Sequence, residues 1–325
     1  MPATGRQVHI DTPLSNMLSA AFETQGDFVG SSLFPVVSVG KRSDKYYILQ
    51  KEAWLRQPHT ARAPRTKSNR IEFDISSESY YAANYALTAE IPVEDLANAD
   101  TALSIRQSHT ALVTRGLLAD LEIRIQNRAI SNVSTVQRLT GADAWDAVNS
   151  ADIRTQIGDA KLSIFNNTGL VPNSLVLDFQ SYEYARRNTR LYSLFQYGPA
   201  AADGFLSNAQ MMAIFDVQNL WVARSQKNNA NENQTGSYTS IWGPTALLAR
   251  VARVEPALTL MTATYGVSMR WTSPELGVPM AVQTSMEDGA GSRHIELLEG
   301  MYFQDEKVVA SALGFYINTK SGTPW

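Results

Sequence analysis

The chain contains no cysteine. Disulfides, thiolate-bound zinc and cysteine nucleophiles are therefore excluded, and the composition suits a chain made in a reducing cytosol. Charge is also scarce: Asp, Glu, Lys and Arg make up 18% of the residues, against about 25% in an ordinary soluble domain. The net charge is -3. A reader of duplex DNA is basic on one face, so tight DNA binding by the whole chain is not expected. Such a balance suits a protein that lies near DNA without sticking to it. No apolar run approaches the roughly 18 residues a membrane span needs. The N-terminus, MPATGRQVHIDTPLSNML, lacks the basic-then-apolar pattern of a secretory signal. No internal repeat is visible.

Catalytic signatures are missing as well. His9, His59, His109 and His294 are scattered, with no HxxxH or HxH spacing for a metal. There is no GxSxG, GxxxxGKS or GxGxxG, and no EF-hand loop. Asp216-x-x-Asn219 and Glu287-Asp288-Gly289 are isolated acidic spots of the kind found in surface turns. Nothing marks a carboxylate pair. Trp221, Trp242 and Trp271 read as core or interface aromatics. The expectation is a chain that is not an enzyme, with no catalytic residue, no metal site and no cofactor.

What is present is a long helix. Pro92 suits a first helical turn, where its missing N–H costs nothing, and Glu94 and Asp95 place negative charge at a helix N-terminus. Asp100-Thr101 resembles a second cap, so a short helix and then a long one are expected, the latter over residues 101–130. Leu117, Leu121 and Ile125 fall at i, i+4 and i+8, and Leu103, Thr110 and Leu117 repeat every seven. Arg106, Arg115, Glu122, Arg124 and Arg128 lie mostly off that line. Gly116 is the weak point, at about 1 kcal/mol. At 1.5 Å per residue such a helix is about 45 Å long, a beam for other elements to lie against.

Before it, residues 1–35 hold an amphipathic turn or two at Pro13–Phe22 and then GDFVGSSLFP, read as an extended arm. VVSVGKRSDKYYILQ suggests two short strands around Gly40–Asp44, and Ile71, Phe73 and Ile75 alternate with polar residues. Between these segments lies LRQPHTARAPRTKSNR, polar and without periodicity. The whole reads as a long hairpin with a basic tip: Lys41, Arg42, Lys45, Lys51, Arg56, Arg62, Arg65, Lys67 and Arg70 stand against only Asp44 and Glu52. A projecting hairpin cannot bury its own faces, and its charge calls for an acidic surface, although a solvated basic loop is the commoner outcome for such a run.

After the long helix, ADIRTQIGDAKLSIFNNTG predicts a second amphipathic helix with Ile153, Ile157, Leu162 and Phe165 inward and Gly169 as its stop. A buried strand at Leu175–Leu177 and a helix from Ser181 follow. MMAIFDVQNLWVARS reads as one or two strands, QKNNANENQTGSYTS as an Asn-rich loop, and PTALLARVARV as strand or helix. Two alternating strands, Ile295–Phe303 and Val308–Ile317, close the chain. The sum is an elongated α+β design whose projections imply partner subunits.

That order, with its local sequences, resembles the major capsid protein of tailed double-stranded DNA bacteriophages, with the fold named for phage Hong Kong 97. LFPVVSV followed by KYYILQKEAW is similar to the family's arm and extended loop. LTAEIPVEDLANAD is similar to its entry into the spine helix, and TGLVPNSLVLDFQSYEYARRN to the entry into its axial domain. FDVQNLWVARSQKNNA with IWGPTALLARV resembles that domain's central strands. The resemblance implies an N-terminal arm (1–35), an extended hairpin loop (36–90), a peripheral domain with the spine helix (91–170 and 285–325) and an axial domain (171–284). It implies self-assembly as hexamers and pentamers into an icosahedral head around phage DNA, formed in the host cytoplasm, with no membrane. Scaffolding, portal and decoration proteins are the implied partners, the scaffold being a separate protein or already cleaved. The shell of an encapsulin-type nanocompartment enclosing an enzyme cargo is the alternative. Arg56, Arg62, Arg65, Lys67 and Arg70 of the hairpin become inter-subunit contacts, with Glu94, Asp95, Asp100, Glu296 and Glu299 as acidic acceptors. Lys51 and Lys67 are the hairpin lysines that a family-type crosslink to asparagine would use.

Overall fold

The computed structural model describes residues 9–322 apart from 25, 50–56, 58–59, 63–64, 66, 69–74, 99–101, 195–204, 232, 253–262, 275–276 and 289–293. A short strand β1 (His9–Ile10) leads into helix α1 (Thr12–Thr24). Asp11 opens the helix by accepting the Leu14 N–H at 3.1 Å. One turn, α2 (Gly30–Leu33), and strand β2 (Val36–Val39) follow. The extended arm expected over residues 1–35 is corrected for the part described. Leu14, Leu18, Leu33 and Phe34 are buried in the main core, because Leu14 and Leu18 fall four apart on one helix face and the long helix offers that face a surface.

Strands β3 (Ser43–Leu49) and β4 (Ile75–Tyr81) pair antiparallel, from Ser43 opposite Tyr81 to Leu49 opposite Ile75. These are the arms of the expected hairpin. Arg56, Arg70 and Lys51 of its tip lie outside the described residues, as do His59 and the alternation at Ile71 and Phe73. Strand β5 (Ala83–Pro92) runs into α3 (Val93–Asn98) and the long α4 (Ala102–Ser131). Leu117, Leu121 and Ile125 are buried as their spacing requires. Gly116 marks where β5 crosses the helix: a Cβ there would stand 2.6 Å from Leu87 Cδ2.

Strand β6 (Thr135–Arg138) precedes α5 (Ile153–Thr168), which Asp152 caps by accepting the Thr155 N–H and which Gly169 ends at φ +73°. Strand β7 (Ser174–Asp178) is buried throughout, and Asp178 then caps α6 (Phe179–Arg187); Asn188 caps α7 (Thr189–Ser193). The stretch MMAIF, expected as strand, is helix α8 (Asn208–Phe215). Ser207 and Gln210 form a reciprocal capping box at its start, and Met211 and Phe215, four apart, are buried. Strand β8 (Asn219–Ala223) comes next; β9 (Gln226–Asn228) and β10 (Tyr238–Ser240) flank the Asn-rich loop. Strand β11 (Thr245–Ala249) settles the ambiguous PTALLARV as strand. Strands β12 (Gly266–Trp271), β13 (Met280–Asp288), β14 (His294–Val308) and β15 (Gly314–Asn318) complete the chain.

Two larger sheets organise these elements. In the six-stranded one, β14 is central. Tyr302 pairs with both Met280 and Tyr85, and Phe303 with both Trp271 and Asn84. Strands β13 and β12 therefore follow one another along one side of β14, with β5 along the other. Strand β1 extends β13, and β2 lies parallel to β12. Helix α4 lies on this sheet over β14 and β5, and α1 packs between α4 and β13. The five-stranded sheet runs β6-β15-β11-β7-β8, with α5 against β15 and β11. Strand pairing thus places β6 and β15 in the second sheet, with α5 packed against it, and β12 and β13 in the first, which differs from the division at 170 and 284 that the resemblance implies.

Candidate assembly surfaces

The hairpin leaves the body at a stiff root. The Tyr81 N–H donates to Asp305 Oδ2 at 3.0 Å, and Tyr80 Oη donates to the Lys41 carbonyl at 3.0 Å. Arg42 Nε donates to the Ala82 carbonyl at 3.2 Å, and its guanidinium lies 5.0 Å from the Tyr81 ring centroid and 5.3 Å from that of Phe303. Beyond the root, Ser43, Asp44 and Lys45 on one arm and Ser77, Glu78 and Ser79 on the other are exposed, so the arms carry no core of their own. Arg62, Arg65 and Lys67 are exposed near the tip.

The acidic candidates fare differently. Glu94 and Asp95 are exposed in the first turn of α3, and Glu299 is half-buried on β14. Asp100 lies outside the described residues. Glu296 is committed within the chain: Arg106 donates to it from Nε and Nη2, each at 2.9 Å. At 4% exposure it offers a neighbour's hairpin little surface.

Two charged groups that sequence reading placed off the buried line of α4 turn inward. Arg124 donates from Nη2 to Tyr302 Oη at 2.9 Å and to Glu306 Oε1 at 3.0 Å, and it pairs with Asp120. Its guanidinium stands 3.4 Å from the Tyr85 ring centroid. Burial works against its charge, but Tyr302 and Glu306 hold its pKa above the usual range. Gln304 Nε2 donates to Glu306 at 3.1 Å, and Arg270 donates to Gln304 Oε1 at 2.9 and 2.7 Å. A polar chain thus crosses the interface between α4 and the six-stranded sheet. The second group is Glu122, one residue beyond the apolar line and 1% exposed. It accepts from the backbone of Val29 and Gly30 and from the Trp242 indole. Burial pushes its pKa up, opposed by those three donors. A single carboxylate on a helix gives no signal of this kind in sequence, since its partners lie about 90 and 120 residues away.

On α5 the inward face is Ile153, Ile157, Ala160 and Ile164. Leu162 and Phe165, expected inward, are 58% and 48% exposed. Leu162 is five residues from Ile157, which turns it about 140° away on a helix of 3.6 residues per turn. The pair forms an apolar stripe with no core to cover, the kind of surface that assembly buries. Replacing both with serine is expected to leave chain stability within about 0.5 kcal/mol while lowering particle yield. An unchanged yield on density gradients would show that this stripe stays in solvent.

Among the described residues no group of three His, Cys, Asp or Glu is placed to hold a metal ion, and no helix is long and apolar enough to cross a membrane. His109 makes a local contact, Nδ1 to the Ile105 carbonyl at 2.9 Å. Trp242 is buried, and Trp271 packs edge-on against Phe303 with centroids 5.2 Å apart.

A long helix laid across one sheet, a projecting hairpin that feeds it and a second α/β sheet unit define the Hong Kong 97-type capsid fold. In solved structures the chain resembles a phage-related protein of Bordetella bronchiseptica RB50, with a TM-score of 0.72 at 20% identity over 99% of each chain. It also resembles the capsid of the cyanophage P-SCSP1u, with a TM-score of 0.58 at 11% identity over 89% of this chain and 87% of the other. No family model matches. In sequence it resembles the major capsid protein of Pseudomonas phage JBD67, 25% identical over 90% of this chain and 91% of the relative. The major capsid protein of Burkholderia phage BcepMu is 27% identical over 86% of this chain and 88% of its own length.

Proposed function

We propose that this chain is the major capsid protein of a tailed double-stranded DNA phage, and that it self-assembles as hexamers and pentamers into the icosahedral head. The observation that carries this is the match, along almost the whole length, to two phage major capsid proteins, on a chain with the capsid fold. A nanocompartment shell shares that fold, but both of these relatives are phage proteins. In this reading the subunit is structural rather than enzymatic. The unit built on the six-stranded sheet and α4 is peripheral, and the unit built on the five-stranded sheet converges on the capsomer axis. Scaffolding, portal and decoration proteins are further partners. Assembly takes place in the host cytoplasm, and packaged DNA is held without sequence-specific contacts, in keeping with a net charge of -3. Negative-stain microscopy of the chain, alone and with a scaffolding partner, should show closed shells or ring-shaped capsomers. A chain that stays monomeric at every concentration under both conditions would count against the proposal.

The basic hairpin then lies on a neighbouring copy. Arg62, Arg65 and Lys67, with Arg56 and Arg70, face the neighbour's Glu94 and Asp95, with Asp100 and Glu299 as further acceptors. Each surface pair contributes little, about 0–1 kcal/mol, but a shell repeats it many times and its durability is kinetic. Reversing Arg62, Arg65 and Arg70 together to glutamate should leave the subunit folded, with an unchanged melting temperature, while shells form poorly or fall apart on mild heating. Particles of normal yield and heat resistance from that triple variant would rule out the docking and leave the capsid assignment standing.

A further inference from the structure

Glu122 gathers three N–H donors from two segments that are distant in sequence. Oε1 accepts from the Val29 backbone at 3.0 Å and from Trp242 Nε1 at 2.5 Å. Oε2 accepts from the Gly30 backbone at 2.7 Å. Val29 and Gly30 open α2, within the N-terminal stretch that packs on the six-stranded sheet. Trp242 lies in the loop between β10 and β11, at the entry to the five-stranded sheet, where its carbonyl accepts from Thr245 Oγ1 at 2.5 Å. The N-terminal stretch also meets the end of β8, the Arg224 N–H donating to the Asp27 carbonyl at 3.2 Å, and the next residue, Ser225, accepts the Ile241 N–H at 3.1 Å beside Trp242. Space is as tight as the hydrogen bonding: a Cβ on Gly30 would stand 2.5 Å from Glu122 Oε2 and 2.9 Å from Ile125 Cδ1.

A buried carboxylate is a poor device for stability, because a well-packed apolar group of similar size often does as well or better. What it supplies is position. Its two oxygens fix two donor sets in one place, and a shift of either set along the helix breaks the geometry of the other. We propose that Glu122 is a positioning residue that ties the N-terminal segment and the five-stranded sheet to one point of α4, so that neither moves along the helix without the other. This does not rest on the capsid reading, since the coupling resides in the single chain.

Hydrogen exchange on the soluble chain or capsomer tests it. In Glu122→Gln, one oxygen becomes an N–H donor that faces another donor. The amides of residues 29–34 and those around Trp242 should both exchange about tenfold faster or more, the fold-change expected from losing a hydrogen bond to a charged acceptor, while Leu175–Leu177 in β7 stay protected. Trp242→Phe removes only the loop's donor, yet exchange at 29–34 should rise as well. Gly30→Ala leaves the Trp242 loop untouched but drives a methyl against Glu122 Oε2 from the N-terminal side, and exchange around Trp242 should rise through the displaced carboxylate. Should Glu122→Gln fail to fold, these two reciprocal variants decide alone. Effects confined to the mutated segment, or a uniform rise that includes β7, would overturn the coupling.

Discussion

Replacing Arg124 with alanine is expected to destabilise the subunit by about 3–5 kcal/mol, because it leaves the buried Glu306 carboxylate without its counter-charge. Glu306 is fully buried, and the variant removes the guanidinium that donates to it, while the Gln304 amide still does. The loss should extend beyond one ion pair. Arg124 also donates to Tyr302 Oη and lies over the ring of Tyr85, so α4, β5 and β14 all lose a contact at one site. The control is a double replacement, Arg124→Met with Glu306→Leu, which removes both charges and restores packing; much of the stability should return. Denaturant midpoints of the soluble subunit read both variants. A loss below about 1 kcal/mol for Arg124→Ala would place this pair in the class of solvent-screened surface bridges.

Phe34→Ala is expected to cost a further about 3–5 kcal/mol, the range for removing a buried aromatic side chain. Phe34 is fully buried in the main core and meets Tyr265 edge-on, with centroids 6.0 Å apart. It also covers Gly266, where any side chain would collide with its ring. If residues 1–35 formed a solvated arm, the same substitution would change stability by no more than about 0.5 kcal/mol. Thermal unfolding of the variant therefore separates an arm from a core element, with the two readings several-fold apart.

The elements most legible in the sequence are those whose signals are local. Pro92 with its acidic turn, the apolar line Leu117-Leu121-Ile125 and the stop at Gly169 each act within a few residues, and α3, α4 and α5 lie where those signals place them. The strand composition of Tyr46–Leu49 is equally local and lies in β3, while the alternation at Ile71 and Phe73 falls outside the described residues. Helix α8 was also local, since Ser207 and Gln210 have capping-box spacing, but Met211, Met212, Ile214 and Phe215 suit a strand as well as a helix and masked it. On α5 the apolar residues occupy two faces, since Ile157 and Leu162 stand about 140° apart, so apolar character alone does not mark the inward one. The N-terminal segment hides its packing for a different reason. Gly26, Gly30, Ser31 and Ser32 resemble a loop, yet Gly30 is small because the Glu122 carboxylate and Ile125 leave no room for a side chain. Those neighbours lie more than 90 residues away, beyond the reach of any local pattern. The same distance hid the inward turn of Glu122 and Arg124, whose partners come from residues 29–30, 242, 302 and 306.

The arrangement around β14 also sets a timetable. Strands β5, β12 and β13 all hydrogen-bond to β14, and among the described residues β1 and β2 reach the sheet through β13 and β12. The first strands to leave the ribosome thus wait for nearly the last. Roughly 200 residues separate β5 from its partner, which at cellular elongation rates is about 10–40 s. Throughout that interval β5 presents an unpaired, mostly uncharged edge, AANYALTAEIP with its single Glu90, to other nascent chains. On polysomes making this subunit at high copy number, such edges stand close together before any sheet exists to receive them. Nascent-chain binding factors should therefore engage β5 early and release it only once residues 294–308 emerge, and slowing translation between β5 and β14 should lower the yield of soluble subunit.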